Sequence, residues 1–469
     1  MNPSVTSVSS CKNLPVLAAS TKSIAILGAG ITGLTAAYRL TQRGHRVRVF
    51  EASDRVGGAM RSEVTADGWL IESGPNTLLA GDPALAALIG ELGLTPDLLR
   101  AAPAAKHRYI VRQGRAVALP LSPLALLGSR LLSVAAKARV FREMRLRPRT
   151  RGQDVSLAAL IREHFGDEIV DYVLNPFVTG IFAGDPEKLS SRHAFPKLWA
   201  AEQEHGSLLR AQVAARKTRP AEAGIISFRR GLQMLPDALA ARLPAGTVSL
   251  RREVAALALD PAWTVICRDG SAERFDAVLA ALPAPALAQL AFDSHATPPL
   301  AALDTIAHPP VAALFLGYRR EQVAHALDGF GLLVPAVEQR SILGVLFSST
   351  LFPGRAPAGH VALTVLVGGT RQPDIARLGA GRLLSRVEPD LEKLLGVQGA
   401  PVFQRHAFWP CAIPQYDLGH ERHLAVIAEL ERAQPGFFVG GPVRDGIALP
   451  ACITAGERLA ARAEDGRSP

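Results

Sequence analysis

Cysteine is scarce in this chain, and the four present, Cys11, Cys267, Cys411 and Cys452, lie far apart with no CxxC pair among them. That spacing excludes a local zinc motif and a dense disulfide framework, and it points to a reducing compartment. Aromatic residues make up only 6% of the sequence, too few to favour a base-stacking nucleic-acid groove. No uninterrupted apolar run reaches roughly 18 residues, so no segment reads as a membrane-crossing helix. HxxE-type metal motifs are missing, His193 and His205 stand without a spaced partner, and no Ser/His/Asp or Cys/His grouping emerges. Both histidines read as structural or surface residues. No metal ligand and no general acid or base is assigned.

What the chain does have is length and a globular balance. Its 469 residues exceed one ordinary core and imply at least two domains, while 48% apolar and 20% charged residues suit a folded protein. The net charge of +10 admits nucleic acid, anionic lipid or an acidic small molecule as partner. The opening stretch "MNPSVTSVSSCKNLPVLAAST" is polar and lacks acidic residues, and its apolar run from Leu14 to Ala19 is too short for a signal core. Residues 1–21 are expected to form a disordered leader.

In "SIAILGAGITGLTAAYRL" a buried strand over 24–27 runs into Gly28, Gly30 and Gly33 and then a helix. Gly28 suits the tight turn, Gly30 lets backbone approach a pyrophosphate, and Gly33 lets the helix pack closely on the strand. Ile31 and Thr32 open the helix, whose positive end faces the anion. A second strand, "HRVRVFE", ends at Glu51, about twenty residues on, where a carboxylate holds ribose hydroxyls and repels a 2′-phosphate. NADP is therefore disfavoured.

Directly after it, "EASDRVGGAMRS" places Gly57 and Gly58 where backbone can lie against a second part of a pyrophosphate, with Arg55 to balance charge. This order of glycine turn, acid and RxGG resembles the flavin amine oxidase superfamily, which implies FAD as cofactor. The likeness continues in "DGWLIESGPNTLL", whose Gly74, Pro75, Asn76 and Thr77 match a loop beside the flavin. It also continues in "FFVGGPVRDGIALPACITAGERLAARA", whose Gly446, Ile447, Ala448 and Leu449 lead into a closing helix. Pro450 requires that helix to begin just before it. The helix end then favours the negative charge of a reduced flavin. By the same resemblance Val254 meets the adenine through its backbone, and Trp409 borders the cofactor.

Three further stretches, "NPFVTGIFAGDPEKLSSRHAFPKLW", "FGLLVPAVEQRSILGVLFSSTLFPGRAPAGHVALTVLVGG" and "FWPCAIPQYDLGH", resemble the protoporphyrinogen oxidase family, and the likeness runs from about Ser23 to Ala463. It implies an α/β fold, α+β overall, with three parts. These are a discontinuous Rossmann-like FAD-binding domain (22–97, 222–297 and 420–464), a helical membrane-docking domain (98–195) and a mixed-sheet substrate domain (196–221 and 298–419). It implies oxidation of protoporphyrinogen IX in haem biosynthesis by three two-electron steps, with O2 as acceptor and hydrogen peroxide released. It places Arg108 at a ring propionate, Leu333, Leu346 and Leu366 on the walls of an apolar slot, and Gly180 with its backbone close to the ring. Leu366 stands where the family often has phenylalanine, and Gly441 where asparagine commonly follows the strand glycine. Coproporphyrinogen III remains an alternative substrate. A flavin oxidase of amines or carotenoid-like chains is a weaker one, because tyrosine is scarce and a carotenoid gives no reason for a rim cation.

Basic residues concentrate from Lys106 to Arg151. There Leu124, Leu127, Leu131, Val134, Ala138 and Phe141 recur at steps of three and four, giving one helix an apolar stripe flanked by Arg130 and Lys137. Such a stripe packs into a core or lies on an anionic bilayer, and the resemblance favours a peripheral position on the cytoplasmic face of the inner membrane. Nucleic acid is not expected as a partner, since no module for it is present. The oligomeric state stays open, a homodimer included.

Overall fold

The glycine turn is positioned by a five-stranded parallel sheet. Strand Ser23–Leu27 pairs with Arg46–Phe50 on one side and Ala277–Ala280 on the other; Val248–Ser249 and Phe437–Val439 extend the two edges. Numbered along the chain, the order is 3-2-1-4-5, that of a dinucleotide-binding sheet, and the strand order reverses between the paired strands 1 and 4, the place where such sheets open a crevice at their carboxyl ends. Alternation divides the central strand between two cores. Ile24 and Ile26 face the first and last helices, while Ala25 and Leu27 face Trp263, Phe275 and Phe437. The computed structural model describes residues 21–120, 123–217, 224–293 and 300–465, so the expected leader lies outside the described residues apart from Thr21.

Helix Ile31–Gln42 begins at Gly30 and is buried along most of its length, because the sheet covers one side and the closing helix Leu449–Asp465 the other. Pro450 occupies the second position of that closing helix, where its missing N–H is not needed. The two helices cross at Gly456, where an added Cβ would come within 2.5 Å of the Thr32 carbonyl oxygen. The strand Ala262–Cys267 alternates half-buried and buried residues, as "WTVICRD" leads one to expect, within a separate four-stranded sheet beside Val254–Asp260.

A seven-stranded sheet builds the other half. Its order is Phe403–Trp409, Val311–Arg319, His360–Gly368, Gly344–Leu346, Gly329–Leu333, His107–Arg112, Arg115–Ala118. One face packs under helix Ala380–Leu395 through Leu314, Leu332, Val345, Val365, Leu383, Val387 and Leu391. Two of these strands lie within the expected helical segment of 98–195, so the helices begin later, with Pro123–Gly128, and continue through Leu208–Lys217. The helical core gathers Leu157, Leu160, Phe165, Val178, Phe182 and Leu208.

The apolar stripe of 124–141 does not lie on one helix. The chain forms Pro123–Gly128 and Val134–Glu143, broken where Ser133 takes an extended conformation and its hydroxyl caps the second helix at Ala136 N–H, 3.2 Å away. The break buries Leu131 and leaves Val134 83% and Phe141 43% exposed. Among the described residues, no helix is long and apolar enough to cross a membrane.

Candidate active site

Two glycine loops meet at the end of the first strand. Gly28 holds φ +98°, and a Cβ there would sit 2.8 Å from the Ala281 carbonyl oxygen; at Gly33 it would sit 2.0 Å from the Gly28 carbonyl oxygen. Gly30 is different, because an added Cβ there would enter open space. Opposite it, Gly57 donates its N–H to Ala29 O at 2.8 Å, and a Cβ on Gly58 would reach the Gly30 Cα at 3.3 Å. The backbone on both sides is thus bare of side chains where an anion would approach the helix end beginning at Ile31 and Thr32.

Glu51 is fixed beside this cradle. One carboxylate oxygen accepts the Ala29 N–H at 2.7 Å, and the other accepts the N–H and hydroxyl of Ser53 at 2.9 and 2.7 Å. Arg252 N–H donates to Glu51 O at 2.8 Å, which brings the chain past the carboxylate two residues before Val254. Arg55 lies on the same loop. Its guanidinium donates to the carbonyls of Val56, Gly58 and Met60 at 3.1, 2.6 and 2.9 Å, so it holds the shape of the RVGG loop. Those carbonyls sit on a turn with positive φ at both glycines and have no sheet partners, which is why they draw the cation.

The segment Gly74, Pro75, Asn76 and Thr77 is half-buried. It is tied at both ends of its turn: Trp409 Nε1 donates to Ser73 O at 2.7 Å, and Asn76 Nδ2 donates to Gly74 O at 3.0 Å. Immediately before it, the Glu72 carboxylate is 3% exposed and pairs with the equally buried Arg355 at 3.5 Å. Burial pushes the Glu72 carboxyl up to about 7, against the opposing pull of Arg355, the Ser62 hydroxyl and the Leu232 N–H.

The closing turn has its own supports. Gly446 donates its N–H to Tyr416 Oη at 2.9 Å, and that hydroxyl donates to Pro442 O at 2.6 Å. Gly441, at φ +101°, donates its N–H to the Asp445 carboxylate at 2.8 Å, which is how the turn is held without the asparagine common in the family. Ile447 packs against the helical core, Leu449 against the core of the dinucleotide sheet, and Ala448 is exposed between them.

Strand register brings the substrate candidates onto one surface. Leu333 pairs with Gly344, Gly344 with Leu366, Leu366 with Ala313 and Ala313 with Ala407, so these positions share a face with Leu346 and Trp409, each two residues along. On the other side Leu333 pairs with Ile110, which adds Arg108 to the same face. Leu333, Leu346 and Leu366 are half-buried, whereas their neighbours Leu332, Val345 and Val365 are at most 2% exposed in the opposite core. An added Cβ on Gly180 would lie 2.9 Å from Leu333 Cδ2, which sets the helix Asn175–Phe182 directly against this face. Arg108 is exposed over the Phe330 ring at 5.7 Å and has no ion pair among the described residues. The surface is apolar at its centre, cationic at one edge, and tied through Trp409 to the loop of 73–77 at the other.

Sequence reading missed Tyr416 and Asp445, whose partners lie across turns with no periodic pattern, and Ser73, which acts through its backbone.

Residues 31–463 match the family model "Flavin containing amine oxidoreductase". Protoporphyrinogen oxidase 2 of Arabidopsis thaliana, chloroplastic/mitochondrial, is 34% identical over 94% of both chains. Coproporphyrinogen III oxidase of Bacillus subtilis is 27% identical over 93% of this chain and 96% of its own. A crystal structure from Exiguobacterium, provisionally named a protoporphyrinogen oxidase, superposes with a TM-score of 0.81 at 25% identity, covering 96% of this chain and 100% of that one. The chain belongs to the flavin-containing amine oxidoreductase family, and its cofactor is FAD. Within that family it is a relative of the protoporphyrinogen oxidases and an oxidoreductase enzyme.

Proposed function

We propose that this chain oxidises protoporphyrinogen IX to protoporphyrin IX. The observation that carries the reading is the face of the seven-stranded sheet that bears Leu333, Leu346 and Leu366, with Arg108 at its edge and Trp409 beside the loop of 73–77. A porphyrinogen is broad and apolar with carboxylates on its rim, so it needs aliphatic walls and one edge cation. Bound FAD supplies two-electron oxidation and returns the electrons to O2, with hydrogen peroxide as product. The chain's own residues orient the macrocycle, exclude water and neutralise a propionate; none is assigned to proton transfer. Gly30, Gly57, Gly58 and the helix end at Ile31 would hold the pyrophosphate, Glu51 the ribose, and residues 74–77 and 446–449 the isoalloxazine.

On this reading the chain comprises cofactor, substrate and helical parts, the helices running from Pro123–Gly128 to Leu208–Lys217. Val134, Ala138 and Phe141 are exposed beside the equally exposed Arg139, Arg142 and Arg145, a surface suited to the headgroup layer of an anionic membrane.

Anaerobic mixing of the yellow holoprotein with protoporphyrinogen should bleach the flavin, and readmitted oxygen should restore the colour. Coproporphyrinogen III forms the comparison arm, because the four-propionate substrate calls for further rim cations. Faster bleaching by coproporphyrinogen would transfer the assignment to it. No bleaching by either, with FAD retained, would remove the porphyrinogen reading.

A further inference from the structure

Asp154, His193 and Glu421 come from distant stretches of chain, yet one ligand atom from each lies within 4.8 Å of the other two. His193 Nε2 stands 3.5 Å from a Glu421 carboxylate oxygen, and that nitrogen is buried without a hydrogen-bond partner among the described residues. The separation is near the edge, about 3.4 Å, of a tetrahedron whose metal–ligand bonds are about 2.1 Å. Local structure holds two of the three groups in place. The Ser190 hydroxyl donates to Asp154 and accepts the His193 N–H at 2.8 Å, and Asp154 also accepts the Arg192 N–H at 3.2 Å. Next to them His420 is 2% exposed, neither of its ring nitrogens has a hydrogen-bond partner among the described residues, and its ring centroid lies 5.7 Å from that of His193.

We propose that Asp154, His193 and Glu421 bind a first-row divalent cation of the Zn2+ type. One imidazole with two carboxylates suits that ion, whereas Ca2+ and Mg2+ select oxygen-only shells. Three protein ligands leave a fourth position for water. Asp154 and His193 belong to the helical segment, and Glu421 opens the helix Glu421–Ala433 that leads into strand Phe437–Val439 of the dinucleotide sheet. The ion therefore staples the helical part of the molecule to the cofactor sheet, and by mass action it raises the stability of the folded chain.

The test uses the FAD-loaded protein, freed of metal by a chelator and titrated with Zn2+ by calorimetry. Co2+ serves as a second probe, read by its ligand-field bands to the red of the flavin absorption. One equivalent should bind, and Tm should rise with metal. Glu421→Gln, at a side chain 59% exposed and therefore tolerant of change, and His193→Ala should each weaken binding at least about tenfold. His205→Ala should leave it unchanged. Absence of saturable uptake in the wild-type protein, or uptake that survives both Glu421→Gln and His193→Ala, would overturn the assignment. Neither result bears on the porphyrinogen reading, which the bleaching experiment decides separately.

Discussion

Replacing Arg108 by alanine separates substrate binding from everything else this chain does. The guanidinium is exposed, has no ion pair among the described residues, and rests over the Phe330 ring at 5.7 Å. Losing that exposed cation–π contact costs the fold about 0.5–1 kcal/mol. Losing a hydrogen bond from a cation to a substrate carboxylate costs about 1.5–3 kcal/mol. With RT at about 0.59 kcal/mol, that loss weakens substrate affinity by about 10- to 160-fold. A propionate lies away from the carbon that is oxidised, so the contact is equally strong in ground and transition states, and its removal raises KM while kcat holds. The assay is the appearance of fluorescent porphyrin across substrate concentrations, with FAD content and Tm measured alongside. Lysine at this position keeps the charge but loses the bidentate fork, so Arg108→Lys should recover part of the affinity. An Arg108→Ala enzyme with wild-type KM would refute the argument, and a fall confined to kcat would place the residue in the reaction step instead.

Gly30→Ala should purify without colour and melt at the Tm of the FAD-stripped wild-type protein, below that of the holoprotein, because the new methyl enters the open space proposed for the pyrophosphate. Gly33→Ala should instead destabilise the protein by about 1–3 kcal/mol in denaturant titrations, since its Cβ meets backbone at 2.0 Å. Asp445→Ala leaves the Gly441 N–H without its acceptor, at about 1–3 kcal/mol, and should speed FAD release on dilution. Glu72 binds its proton more tightly folded than unfolded, so folding takes up a proton between the ordinary carboxylate range and about 7. Its contribution to stability is complete below that window and declines as pH rises through it; Glu72→Gln should flatten this slope, read from urea midpoints against pH. Val134→Asp and Phe141→Asp change exposed side chains, so both should preserve Tm and activity in detergent while reducing co-sedimentation with anionic vesicles.

The cofactor half was legible wherever a short-range backbone demand had to be met within a few residues. Gly28, Gly33, Gly57 and Gly58 answer steric requirements of the turns in which they lie, and Pro450 marks the first turn of the closing helix. Burial alternation in Ala262–Cys267 likewise follows from the two-residue period of a strand. The helix expected across 124–141 failed for a comparable local reason, because the periodicity continued through a stretch where Ser133 offered a better cap than a further turn.

Packing alone decided the remainder. Arg108, Leu333, Leu346, Leu366 and Trp409 share a face only because their strands pair in one particular register, and a shift of one residue in any strand would turn its side chain to the opposite core. Arg55 turned inward to loop carbonyls, Asp445 took over an amide that no motif assigns to it, and His193 met Asp154 and Glu421 across the fold. A side chain's neighbours across the chain are set by how whole elements stack, and no short window of residues carries that information.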